Sequence, residues 1–194
     1  MLDLEQIKGI IFDYGGTIDA NGMHWAEVIW MAYEALHIPV NKDIFRQAYV
    51  HGERMLAKNK IILPSHTFWH VLRLKAETQI QWLIDNKYLL PGDAGFTKYT
   101  TGVADWCYAY AQVAVSAALP VVGKLSEKYP LVLVSNFYGN IETVLKDFRL
   151  ETFFKVIIES AAVGVRKPDP EIFRLGIKES GLSPGEIVVI GDSY

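Results

Sequence analysis

Asp13 closes a short apolar run, Ile10-Ile11-Phe12, and is followed at once by Tyr14-Gly15-Gly16-Thr17-Ile18-Asp19. A carboxylate at the end of a buried strand can serve as a nucleophile or hold a cation, and in an open parallel sheet ligands bind beyond the carboxyl ends of the strands. Gly15 and Gly16 would let the backbone approach such a ligand closely. Three further groups follow in order. The apolar run 131–134 ends in Ser135-Asn136, a hydroxyl and an amide suited to an anion. Gly164-Val165-Arg166-Lys167-Pro168-Asp169-Pro170 sets Lys167 just before a helix, and the run 187–190 ends in Gly191-Asp192-Ser193. Singly, each has a plain structural reading: a turn, a solvated lysine, a helix cap. Jointly, that reading needs four coincidences, because a carboxylate, a hydroxyl, a lysine and a second carboxylate recur in order, three of them at strand ends.

These groups must be held by strands and helices. Gly9–Phe12, 131–134, 156–158 and 187–190 are rich in Ile and Val and nearly continuous in hydrophobicity, which predicts a parallel sheet covered on both faces. Helical segments separate the last three, so the fold class is α/β. In the helix 169–180, Asp169 can cap, Pro170 fits the first turn and Gly181 can end it. Between the first two strands, apolar residues recur at helical spacing and predict helices at roughly 24–36, 41–58, 65–86 and 101–118. Breaks fall at Pro64 and at Leu90-Pro91-Gly92-Asp93. The expected organisation is a sheet core of residues 1–19 and 119–194, with a helical module, 20–118, inserted after the first strand. Trp25, Trp30 and Tyr33, like Trp106, Tyr108 and Tyr110, either line a substrate pocket or pack helix on helix. His66 and His70 have a zinc-compatible i, i+4 spacing without a third ligand, so packing or surface histidines are expected.

Of the 194 residues, 51% are hydrophobic and 21% charged, with a net charge of −3, which gives no reason to expect nucleic acid or anionic membrane as partner. No apolar run approaches the ~18 residues of a membrane span. The N-terminal MLDLEQIKGI lacks a basic segment followed by an apolar one. Cys107 is the single cysteine, so no internal disulfide can form, which suits a reducing cytoplasm.

With these residues in view, the chain resembles the haloacid dehalogenase-like hydrolases, in the branch with a type 1 helical cap. Asp13–Thr17, Ser135, Lys167 and Gly191-Asp192-Ser193 are similar to that superfamily's four motifs, and Lys167-Pro168-Asp169-Pro170-Glu171-Ile172-Phe173 is similar to that branch. The resemblance implies a Rossmann-like core with an inserted α-helical cap. It implies that Asp13 attacks the phosphorus of a small phosphorylated metabolite, forming an aspartyl-phosphate that water hydrolyses. It implies Mg2+ held by Asp13, Asp192 and the backbone carbonyl of Gly15, with Gly16, Ser135, Asn136 and Lys167 around the phosphoryl group. Lys167 would also offset the nucleophile's charge.

Two departures bear on activity. Phosphatases of this superfamily usually carry a second aspartate where Gly15 stands, acting as general acid and base, a service worth about 10²–10⁴-fold in rate. Asp19 could approach in its place, but is expected to stabilise the following turn. Dehalogenases proper carry an aromatic at that position, and Tyr14 is one position too early. Phosphonate-cleaving members use a cap lysine to form an imine, for which Lys42, Lys58 and Lys60 are available. The second departure is the end at Tyr194, two residues past Asp192, where the resemblance implies another acidic residue and further helix and strand. The expectation is a fragment lacking the end of the core, with apolar surface exposed beside 187–190. Two readings follow: a magnesium-dependent hydrolase slowed by Gly15, or a catalytically impaired relative that binds a phosphorylated ligand or a protein partner.

Overall fold

The computed structural model describes residues 5–90 and 92–192. Pro91 and Ser193, named above, lie outside the described residues, as do residues 1–4 and Tyr194. Four strands form one fully parallel sheet: β1 (Gly9–Phe12), β2 (Leu131–Ser135), β3 (Phe154–Glu159) and β4 (Ile187–Ile190), in the order β3-β2-β1-β4. β1 therefore lies between β2 and β4. Phe12 sits in register with Leu133 on one side and Ile190 on the other, so β1 and β4 end level while β2 runs two residues further, to Ser135.

The central strands β1 and β2 are buried on both faces, which is why they read as continuous apolar runs. Ile10, Phe12, Leu131 and Leu133 point into the main core, which continues into the helices between β1 and β2. Ile11, Val132, Val134 and Ile158 point the other way, onto Ile172 of helix α7 (Glu171–Ser180). Each such side chain contributes about 1.5–3 kcal/mol by leaving water. Gly176 lets α7 lie close on the sheet, since a Cβ there would come within 2.9 Å of Val134 Cγ2. Asp169 Oδ1 accepts the Glu171 N–H (2.9 Å), and Gly181 ends α7 in the left-handed region, as the sequence predicts, although the helix starts two residues later than expected. Two short helices, α5 (Ile141–Asp147) and α6 (Ser160–Val163), follow β2 and β3. β4 is an edge strand, with Val189 and Ile190 exposed, so apolar surface is present where it was expected.

Helices α1 (Trp25–Ala35), α2 (Lys42–Lys58), α3 (Phe68–Asp85) and α4 (Gly92–Ser126) fill the interval between β1 and β2. His24 Nδ1 accepts the Ala26 N–H to cap α1, and Asn41 Oδ1 accepts the Ile44 N–H to cap α2. The first three match their expected extents closely. The fourth does not: it begins at Gly92, within the expected break, and runs through Pro120 and across the expected 118/119 boundary. An internal proline removes one helical hydrogen bond and costs about 3 kcal/mol. Here the stripe Val103, Cys107, Ala111, Val115 and Val122 buries on both sides of Pro120, and packing outweighs that local penalty. The same helix corrects a composition-based expectation: within residues 95–126 an 18-residue window reaches a mean hydropathy of 1.2, so one helix is long and apolar enough to cross a membrane. In this fold, α4 packs along α3 and α1.

Candidate active site

The carboxyl ends of β2, β1 and β4 open on one cavity of about 630 Å³, whose wall includes Asp13, Gly15, Ser135, Asn136, Lys167 and Asp192. Strand register brings them together, because Asp13 N–H donates to the Ile190 carbonyl (2.9 Å) and so holds the β1 exit beside the β4 exit. Lys167 Nζ lies 2.5 Å from Asp13 Oδ1 as a mostly buried ion pair. The Tyr14 N–H also donates to Asp13 Oδ1 (2.7 Å). Burial pushes the Asp13 carboxyl above the usual range, opposed by the Lys167 charge and hydrogen bond, while the Asp192 charge adds to the rise. Gly16 is not part of the wall but sets its shape: its φ is +88°, and a Cβ would overlap the Asp192 carboxylate. The backbone there needs glycine both for its conformation and for this approach.

Asn136 lines the cavity and also braces Lys167. Its Oδ1 accepts the Lys167 N–H (2.9 Å) and its Nδ2 donates to the Lys167 carbonyl (3.0 Å), so the side chain clamps the lysine backbone. Ser135 is buried at the end of β2. Asp13, Gly15 and Asp192 offer oxygen atoms alone, the donor set that suits a hard divalent cation. Among the described residues no cluster of three or more His, Cys, Asp or Glu side chains is arranged to hold a metal.

The sequence matches the family described as haloacid dehalogenase-like hydrolase over residues 7–194. The chain belongs to the haloacid dehalogenase-like hydrolases. It is 35% identical over 177 residues to haloacid dehalogenase-like hydrolase domain-containing protein 3 of Mus musculus, covering 82% of this chain and 69% of that protein. To the rhythmically expressed gene 2 protein of Drosophila melanogaster it is 36% identical over 69 residues, 34% of this chain and 26% of that protein. In fold it is similar to the magnesium-bound HAD-hydrolase YfnB of Bacillus subtilis (TM-score 0.58, 19% identity, 96% of this chain and 80% of that one). It is likewise similar to an L-2-haloacid dehalogenase (TM-score 0.54, 18% identity, 94% and 77%).

The residues next to Asp13 differ in their surroundings. Gly15 lines the cavity with nothing within 4 Å of where a side chain would begin. Tyr14 is fully buried between the rings of Phe68 and Phe137 and does not line the cavity. Asp19 does what the turn reading expects: its Oδ1 accepts the Gly16 N–H (2.7 Å) and its Oδ2 accepts Trp25 Nε1–H (3.0 Å). It also borders the cavity, so it stands nearer the chemistry than its expected role requires. Among the aromatics, Trp25 lines the cavity, whereas Trp30 and Tyr33 pack on Phe45, Tyr108 on Phe148, and Trp106 stacks on Tyr110. His66 and His70 stack at 5.2 Å, and His66 Nδ1 accepts the Leu63 N–H, which makes them packing residues.

Sequence reasoning missed Glu53, Lys75 and Tyr138. All three line the same cavity, contributed by α2, α3 and the segment after β2. Lys75 Nζ lies 2.6 Å from Glu53 Oε1, and Tyr138 Oη donates to Glu53 Oε2 (2.8 Å). Burial opposes the Lys75 charge, but Glu53 beside it outweighs that and holds the ammonium well above the usual lysine range. Burial pushes Glu53 up, and Lys75 more than reverses it. Lys75 stands at helical spacing among apolar residues and so reads as one face of a helix. Lys42, Lys58 and Lys60 do not line this cavity, and Lys42 pairs with Glu27 (2.5 Å).

Asp19 makes a pH prediction. Burial, opposed by its bonds to Gly16 and Trp25, pushes its carboxyl up to about 7. The folded state therefore binds this proton more tightly than the unfolded chain, whose aspartates titrate near 3.9. The stability so contributed is complete below about pH 4 and lost as pH rises through about 7. In EDTA, the free energy of urea unfolding should be lower at pH 8 than at pH 5, by on the order of 3 kcal/mol. Asp19→Asn should shrink that difference; an unchanged difference in the variant would show that other groups cause it.

Proposed function

We propose that the chain is a Mg2+-dependent hydrolase of phosphatase type, acting on a small phosphorylated metabolite with Asp13 as nucleophile. The observation that carries this reading is the Asp13–Lys167 pair at 2.5 Å, sharing one cavity with Ser135 and Asp192. Asp13 and Asp192 side chains and the Gly15 carbonyl would hold the cation, a donor set that fits magnesium and leaves room for its waters. When bound, the cation would neutralise the crowded carboxylates and polarise the phosphoryl oxygens. The YfnB structure, similar in fold, is described as bound to magnesium, which supports the choice.

An Asp13 carboxylate oxygen would attack phosphorus, the bond to the leaving oxygen would break, and water would then release phosphate and restore the carboxylate. Lys167 and the Ser135 hydroxyl would bind the phosphoryl oxygens, and Lys167 would keep the nucleophile ionised against its burial. Asn136 would act by fixing the Lys167 backbone. With Gly15 in place of a carboxylic acid, the leaving oxygen would depart without a dedicated proton donor, so turnover should be slow. An imine route fits poorly, because Lys75, the cap lysine on this cavity, is held as an ammonium by Glu53. Gly15 favours a second reading, a catalytically impaired relative that binds a phosphorylated ligand or a protein partner. The setting we infer is cytoplasmic, with neither nucleic acid nor membrane as partner, on the support of the mild net charge and the single, buried cysteine.

Phosphate release from an aryl phosphate, measured with Mg2+ and with EDTA, tests this reading. Slow release that stops in EDTA is expected. Release indifferent to EDTA would overturn the metal assignment, and none at all, together with tight calorimetric binding of beryllium fluoride and Mg2+, would favour the second reading.

A further inference from the structure

The cavity is larger than a phosphoryl group alone would fill. Its cap-side wall holds Glu53 and Lys75 paired at 2.6 Å, the Tyr138 hydroxyl on Glu53 at 2.8 Å, and the Lys75 ammonium 5.3 Å from the Tyr138 ring centroid. His24 stands in the same wall, its Nδ1 taken by the Ala26 N–H, so that Nε2 carries the ring proton and can donate. Trp25, Tyr49, Phe68 and Phe137 complete this region with aromatic surface.

We propose that Glu53, Lys75, Tyr138 and His24 form the leaving-group subsite of the Asp13 site, and that it takes an uncharged, hydroxyl-rich group, making the substrate a sugar or polyol monophosphate rather than a phosphorylated acid. This rests on Asp13 being the phosphoryl acceptor. Charge is the first argument. The two lysines that line the cavity are each paired with a carboxylate, Lys167 with Asp13 and Lys75 with Glu53. A second anion on the substrate would find no unpaired lysine in that wall and would lie beside Glu53, a like charge. Hydrogen bonding is the second. An ammonium has three donors, of which Glu53 and the Tyr138 hydroxyl take two, and a carboxylate has about four acceptor positions, of which Lys75 and Tyr138 take two. Adjacent spare donors and acceptors match hydroxyl groups, which both give and accept, whereas a carboxylate only accepts. Surface is the third. The C–H face of a sugar packs against aromatic rings while its hydroxyls turn to polar atoms, and this wall alternates the two. About 630 Å³ lies within the range of small-molecule sites, about 300–1,000 Å³, and leaves room for a group well beyond two or three carbons.

The test measures kcat/KM of the full chain with Mg2+ on glucose 6-phosphate, on phosphoglycolate and 3-phosphoglycerate, and on phenyl phosphate as a reference without hydroxyls. Glucose 6-phosphate should exceed the two phosphorylated acids by at least tenfold. Tyr138→Phe should lower the ratio of glucose 6-phosphate to phenyl phosphate by about tenfold, a change that a general loss of structure would not produce. Glu53→Gln, which leaves the Lys75 charge unpaired, should move the preference toward the phosphorylated acids; where it melts early, Tyr138→Phe still decides. Equal or better use of the acids by the native chain, or a ratio unmoved by Tyr138→Phe, would overturn the proposal. If no ester is turned over, the Asp13 reading fails separately, and calorimetry with unphosphorylated glucose decides the subsite: millimolar binding weakened by Tyr138→Phe supports it, and no binding overturns it.

Discussion

Gly15→Asp should raise kcat for phosphomonoester hydrolysis by on the order of 10²-fold, and up to about 10⁴-fold, the usual worth of a positioned general acid and base. The structure permits the change. Gly15 lines the cavity beside Asp13, its backbone lies outside the left-handed region, and a Cβ there meets no heavy atom within 4 Å. The added carboxyl would stand where a proton is needed by the leaving oxygen and later taken from water. It would also add a further carboxylate to a wall that already holds Asp13, Asp19, Glu53 and Asp192, so the variant should melt lower in EDTA and recover with Mg2+. Gly15→Asn serves as the control of equal shape, since an amide cannot shuttle the proton. A gain with aspartate and none with asparagine, read as initial rates, is the expected result. Equal rates for the native chain and both variants would mean that another group already handles the proton, or that the slow step is not phosphoryl transfer.

Asp13→Asn should abolish turnover, by on the order of 10⁴-fold or more, the scale on which the loss of a nucleophile falls in enzymes that form covalent intermediates. Binding should move the other way. Lys167, now 2.5 Å from Asp13, would lose its paired charge and become available to an anion, and the cavity would lose one negative charge. Inorganic phosphate should therefore bind more tightly to the variant than to the native chain, as measured by calorimetry in EDTA. Residual turnover within tenfold of the native rate would remove Asp13 from the nucleophile role. Lost turnover with weaker phosphate binding would point instead to collapse of the cavity, which thermal melting would detect.

Part of this protein is written locally in its sequence, and that part is the parallel sheet with the residues at its strand ends. Asp13, Ser135 and Asp192 each follow an apolar run, and a buried parallel strand leaves a readable mark because both faces must be apolar. Lys167 is readable through the Pro168-Asp169-Pro170 signal of the helix that follows. What the tertiary structure alone decided is which other side chains reach the cavity. Glu53, Lys75 and Tyr138 come from α2, α3 and the segment after β2, and their convergence depends on how those helices pack, which no local pattern encodes. Lys75 looks like one face of a helix until the Glu53 carboxylate is found 2.6 Å away. That Asn136 braces Lys167 is tertiary for the same reason, its side chain bonding the Lys167 backbone from 31 positions away. The length of α4 was likewise a tertiary decision: Pro120 argues locally for a stop, but burial of the stripe on either side of it supplies more free energy than the proline removes.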